Sequence, residues 1–124
     1  MFAQTIGGLD EVFLDVRDLP AMREFYTQVL GFEQEFYHEG EMLGLRTGRA
    51  ALVLRTSERG SSGVSFVFNC DYIEQSLRAV TEKGVVVTQP VWEGHWGAKV
   101  ASFEDPEGNT ISLEQPTEAT GHMH

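Results

Sequence analysis

One order of patterns occurs twice in this chain, and that repetition limits its fold more than any other feature. Residues 9–16 alternate, with Val12, Leu14 and Val16 on one face and Glu11, Phe13 and Asp15 on the other. Asp18 and Pro20 follow as an acidic helix cap and a first-turn proline. Met22, Phe25, Tyr26, Val29 and Leu30 keep helical spacing, and Gly31 ends the run. Strand-like runs come next at about 32–38, 42–47 and 50–56. After the flexible segment 57–63 the pattern restarts. Residues 64–70 alternate, with Val64, Phe66, Phe68 and Cys70 on one face. Ile73, Leu77 and Val80 form a helical stripe that Gly84 ends, and strands are expected at about 85–89, 98–104 and 110–115. Gly31 lies 20 residues after Glu11, and Gly84 lies 19 after Ser65. The chain is thus a βαβββ unit repeated in pattern rather than in identity.

Each strand set, with a helix on one face, must hide its other face. A curved mixed sheet of roughly eight strands closing on itself, with helices on the outer face, achieves this, and the fold class is α+β. The inner face then lines a cup, a usual place for small-molecule sites. The periodicity predicts burial of Val12, Leu14, Phe25, Val29, Phe66, Phe68, Leu77, Ile111 and Leu113 between helices and sheet. A length of 124 residues fits one domain, residues 1–124, with repeats over about 9–56 and 64–115 and a frayed tail over 116–124.

Nineteen acidic residues against nine basic ones give a net charge of −10. That opposes nucleic-acid binding, which needs cations against phosphate, and suits either plain solubility or capture of a cationic ligand. No apolar run reaches membrane-spanning length, and the N-terminus has no signal-peptide pattern. The single cysteine, Cys70, excludes an intrachain disulfide framework. The expectation is a cytoplasmic protein with no membrane or nucleic-acid partner.

Two stretches carry a family resemblance. One runs from Val12 through Asp15, Asp18, Pro20, Phe25 and Tyr26 to Gly31 and Phe32. The other runs from Gly97 to Gln115 around the turn of Asp105, Pro106, Glu107, Gly108 and Asn109, whose proline and glycine favour a tight reversal between alternating strands. Together they resemble the vicinal-oxygen-chelate superfamily of glyoxalases, bleomycin resistance proteins and extradiol dioxygenases, over residues 9–115. The resemblance implies paired βαβββ modules and a homodimer, since members often share cups between two subunits. It leaves function open, because that fold hosts metal enzymes and metal-free binders alike.

In metal-dependent members, ligands come from equivalent places in the two halves. The resemblance puts Glu11, Ser65, Ser112 and a residue near Val53 at those places. One carboxylate, two hydroxyls and a valine would hold a divalent ion poorly, so neither metal nor cofactor is expected. A one-residue slip in alignment would substitute Ile111, Leu113, Val64 or Phe66, none of them a ligand. His38 and His95 read as polar strand and loop residues, and His122 and His124 as part of the tail.

What remains is a cup with polar and aromatic fittings. Its ligand-binding set is Glu11, Phe13, Ser65, Val67, Asn69, Ser112, Trp92 and Trp96, with Asp15, Thr110 and Glu114 on the same faces. The two tryptophans fall in a loop at the rim, and the resemblance to bleomycin-resistance-like members reaches Trp96 and Gly97. Rings and carboxylates suit a planar cation. The plain alternatives are that the tryptophans cover an interface and that Glu11 pairs with Arg46 or Lys99. Gly60, Ser61, Ser62 and Gly63 lack the lysine of a phosphate loop, and Cys70 reads as an inert core thiol. The leading reading is a metal-free protein that binds or sequesters a small organic molecule. Its rivals are a lyase, isomerase or dioxygenase with Glu11 as catalytic base or metal ligand, and a regulatory module with an empty cup.

Overall fold

The computed structural model describes residues 6–61, 63–94 and 97–117. The chain divides into two compact units at Gly60/Ser61, inside the expected linker. The first unit runs β1 (Glu11–Val16), α1 (Leu19–Glu24) continued by a π-helical turn (Phe25–Val29), β2 (Glu33–His38), β3 (Met42–Thr47) and β4 (Ala50–Thr56). The second runs β5 (Ser65–Asn69), α2 (Ile73–Glu82), β6 (Val87–Glu93), β7 (Lys99–Glu104) and β8 (Thr110–Gln115). Both units are βαβββ, as the repeat predicts, and the class is α+β. The strands pair as two four-stranded sheets, ordered β1-β4-β3-β2 and β5-β8-β7-β6, rather than as one continuous ladder of eight.

Register is equivalent in the two units. β1 lies parallel to β4 with Phe13 opposite Val53, and β5 lies parallel to β8 with Val67 opposite Ser112. The other pairings are antiparallel hairpins. A helix and a hairpin intervene between the first and fourth strands, which gives the long connection that parallel pairing needs.

In the first unit, alternation sends Leu14, Val16, Leu43, Leu45, Leu52 and Leu54 to the helix side, where they are buried with Leu19, Met22, Phe25 and Tyr26. Asp18 starts α1, its Oδ1 accepting the Ala21 N–H at 3.1 Å. The expected single helix to Leu30 changes pitch at Phe25. The Leu30 N–H donates to the Phe25 carbonyl five residues back, at 3.0 Å.

In the second unit the buried side chains include Ile73 and Val80 of α2, with Ala101, Phe103, Ile111 and Leu113 of the sheet. Tyr72 gives α2 no side-chain cap, and Gln115 of β8 does so instead, its Oε1 accepting the Ile73 N–H at 2.8 Å. Of the nine residues expected in the core, Leu14, Phe25, Ile111 and Leu113 are buried. Val12, Val29, Phe66, Phe68 and Leu77 are half-buried. The β7–β8 turn closes on Asp105, whose carboxylate accepts the Glu107 and Asn109 N–H groups at 2.9 and 3.0 Å and the Asn109 Nδ2 at 2.9 Å.

Candidate functional site

The face of the first sheet turned away from α1 carries the odd residues of β1 and β4 and the even residues of β3. One row across it reads Phe13, Val53, Gly44, Phe36. Val53 is 2% exposed, whereas Phe13 and Phe36 are 48% and 36% exposed. A side chain on Gly44 would collide with the Phe36 ring, so the missing Cβ lets that ring lie along the sheet. The result is an apolar strip with a ring at each end. His38 stands beside it, its ring 5.5 Å from that of Phe36.

Charges flank the strip. Arg55 Nε donates to Asp15 Oδ1 at 2.9 Å, and the guanidinium carbon lies 5.2 Å from the Phe13 ring centre. Arg46 pairs with Glu35, the residue at which the β2–β3 register shifts. These exposed pairs each contribute under about 1 kcal/mol to stability. Their effect here is to neutralise both arginines. Glu11 takes part in neither pair, and Lys99 is engaged with Glu74, so the Arg46 and Lys99 partnerships weighed for Glu11 are made by other carboxylates. Glu11 is exposed, two residues along β1 from Phe13.

The corresponding face of the second sheet carries three rows: Asn69, Glu114, Val100 and Trp92; Val67, Ser112, Ser102 and Gln89; Ser65, Thr110 and Glu104. Ser102 and Ser112 share a hydrogen bond, Oγ to Oγ 2.8 Å. Val67 and Trp92 are 62% and 49% exposed. These rows hold two carboxylates and no lysine or arginine.

The structure therefore brings Ser65, Val67, Asn69, Ser112 and Trp92 onto one sheet face, and Glu11 and Phe13 onto another. Trp92 corrects the sequence reading. It stands in β6, opposite Val100, and not in a rim loop, because β6 runs on through Pro90 to Glu93. An edge strand with register shifts at Val87/Gln89 and Gln89/Trp92 tolerates that proline. Trp96, His95, His122 and His124 lie outside the described residues. The Phe36–Gly44 arrangement and the serine pair were missed by the sequence reading; pairing β2 to β3 across the Glu39–Glu41 turn would have suggested the first.

The superfamily's metal positions can be tested by donor chemistry. Glu11 stands two residues before Phe13, which faces Val53; Ser65 stands two before Val67, which faces Ser112. The inferred positions are thus equivalent in the two units, but Val53 offers no donor and is buried in an apolar strip. The first unit thus supplies one carboxylate, and the second two hydroxyls of which one is already bonded to Ser102; neither set by itself fits a divalent ion. Among the described residues no group of three or more His, Cys, Asp or Glu side chains is placed to hold a metal. Cys70 is half-buried, and burial pushes its thiol pKa up, with Asp71 and Glu74 adding to the effect and Ser76 opposing it. Among the described residues no helix is long and apolar enough to cross a membrane.

A family model described as the Glyoxalase/Bleomycin resistance protein/Dioxygenase superfamily matches residues 8–113. Among solved structures, an integron cassette protein from the mobile metagenome of the Halifax Harbour sewage outfall is 30% identical. It covers 88% of this chain and 98% of its own, with a TM-score of 0.75. Lactoylglutathione lyase from Agrobacterium tumefaciens is 19% identical over 90% of this chain and 95% of its own, with a TM-score of 0.79. TnmS3, an antibiotic binding protein from Streptomyces sp. CB03234, is 23% identical over 93% of this chain and 100% of its own, with a TM-score of 0.76. The last two share the fold alone. No match was found among curated proteins.

Proposed function

We propose that this chain, which belongs to the Glyoxalase/Bleomycin resistance protein/Dioxygenase superfamily, is a metal-free binder of a small, planar, cationic organic molecule. The observation that carries the reading is the row Phe13, Val53, Gly44, Phe36, in which two accessible rings stand at the ends of a buried apolar middle that offers no metal donor. Rings of this kind stack on planar ligands.

Preference for a cation rests on the charge balance of the two faces. Arg46 and Arg55 are neutralised by Glu35 and Asp15, which leaves Glu11 uncompensated on the first. The rows of the second face hold no lysine or arginine. Ligand contacts are assigned to Glu11 and Phe13 in the first unit, and to Ser65, Val67, Asn69, Trp92 and Ser112 in the second. Trp96 is retained as a candidate from the sequence. A cytoplasmic homodimer belongs to the same reading. Antibiotic binding by the fold relative TnmS3 is compatible with it. The test is titration of the full chain with the planar cation proflavine and the neutral heterocycle phenazine, with the shifts mapped by nuclear magnetic resonance. Saturable shifts centred on Phe13, Phe36 and Glu11, stronger for the cation, are expected.

A further inference from the structure

A groove of about 560 Å³ opens on the helix side of the first unit, away from the strip. It is lined by Pro20, Arg23, Glu24, Thr27, Gln28, Phe32 and Gln34. Five of these repeat along one face of the helical segment, at positions 20, 23, 24, 27 and 28, and two come from the entry to β2. The volume falls in the range of small-molecule sites.

Arg23 is the group in this groove that is held ready. Its Nε donates to Gln34 Oε1 at 2.8 Å, and its guanidinium carbon sits 3.9 Å from the centre of the Tyr37 ring. A stacked guanidinium anchored at Nε keeps its plane fixed. Among the described residues its two terminal amino groups have no protein partner. That leaves a rigid pair of donors, the geometry that takes a carboxylate through two parallel hydrogen bonds.

A second, independent feature points to the same place. The helix turns π at Phe25–Val29, and this turn supplies Thr27 and Gln28 to the groove. Single π turns inside helices are rare and occur frequently at functional sites. Here the Arg23 carbonyl accepts the Thr27 hydroxyl at 2.6 Å, which ties the turn to the backbone of the arginine.

We infer that this groove is a second ligand site, in which Arg23 binds the carboxylate of a small organic acid. Phe32 and Pro20 supply apolar surface for the rest of such a molecule, and the Gln34 amide nitrogen a polar contact. Glu24 puts a negative charge on the same lining, which disfavours a multiply charged anion such as phosphate more than a monocarboxylate. The site does not depend on the function proposed above, since it shares no residue with the strip.

The experiment is a titration of the isotope-labelled full chain with benzoate, and in parallel with inorganic phosphate, followed by nuclear magnetic resonance. Benzoate is expected to shift the Arg23 Nε–H and the Thr27 and Gln28 amides saturably, with phosphate weaker. Arg23→Lys keeps the charge but loses the paired donors, and should weaken benzoate by about tenfold or more. Gln34→Ala, which frees Nε without touching the helix, should weaken it severalfold. Absence of saturable shifts at these residues, undiminished affinity in Arg23→Lys, or phosphate binding tighter than benzoate would each overturn the inference. The resonances of Phe13 and Phe36 report separately on the strip.

Discussion

The ring of Phe36 occupies the space that a side chain on Gly44 would need. Gly44 sits inside β3 with Val53 on one side and Phe36 on the other, so the collision falls on the sheet face and not on the helix-side core. Gly44→Ala should gain strand propensity and lose this ring placement, leaving stability within about 1 kcal/mol of the parent. Phe36 must swing off the strip. The checks are urea denaturation, expected nearly unchanged, and the contacts between the Phe36 ring and Gly44 in nuclear Overhauser spectra, expected lost.

Leu54 is fully buried between Leu14 of β1 and Leu43 of β3, beneath α1. Leu54→Ala should cost about 2–5 kcal/mol, the transfer term plus the cavity left behind. Urea midpoints at constant slope measure it. Arg55→Ala, next along β4 and on the exposed face, should cost under about 1 kcal/mol by the same assay.

Asp105 is buried and accepts three hydrogen bonds from the turn that joins β7 to β8. Asp105→Ala would leave the Glu107 N–H, the Asn109 N–H and the Asn109 amide without their acceptor. A loss of roughly 2–4 kcal/mol is expected, since unsatisfied buried donors cost more than the bonds they made. Hydrogen exchange should show the β7–β8 ladder opening first.

Glu74 gives the clearest pH dependence. Its carboxylate pKa is lowered, first by its own backbone N–H near the start of α2 and then by its bond to Lys99. A folded pKa below the unfolded one means that the stabilisation is present above the ordinary carboxylate range. It is lost as the pH falls through the lowered value. The urea midpoint of Glu74→Gln should therefore lie slightly below the parent's at pH 7 and converge on it as the pH falls below the ordinary carboxylate range.

Strand boundaries other than those of β6, the cap at Asp18 and the inward and outward parity of β1, β5 and β8 were legible in the sequence, because alternation and turn chemistry are local signals. The parity placed Leu14 and Val16 under the helix and Glu11 and Phe13 on the opposite face, where the structure has them. Three things were not legible. The π turn at Phe25 leaves no mark in the spacing of Met22, Phe25, Tyr26 and Val29, which fits either pitch. The sequence reading ends this strand at about residue 89 and leaves Trp92 in a loop; only the sheet order makes β6 an edge that can carry Pro90 and run on to Glu93. The settings of Phe36 on Gly44 and of Arg23 on Tyr37 depend on pairings between strands and helix that one-dimensional patterns do not contain.

The central claim is that the strip of Phe13, Val53, Gly44 and Phe36, with Glu11 beside it, takes a planar cation. The most direct measurement is the affinity of proflavine for the parent chain, Phe13→Ala and Glu11→Gln at low salt, with phenazine as the neutral control. Phe13→Ala should weaken both ligands by about tenfold, the worth of one lost ring contact. Glu11→Gln should weaken proflavine by about two- to fivefold and leave phenazine unchanged, because Glu11 is exposed and its charge partly screened. Saturable binding that follows this order supports the account; no saturable binding of either ligand to the parent, or equal affinities in all three chains, contradicts it.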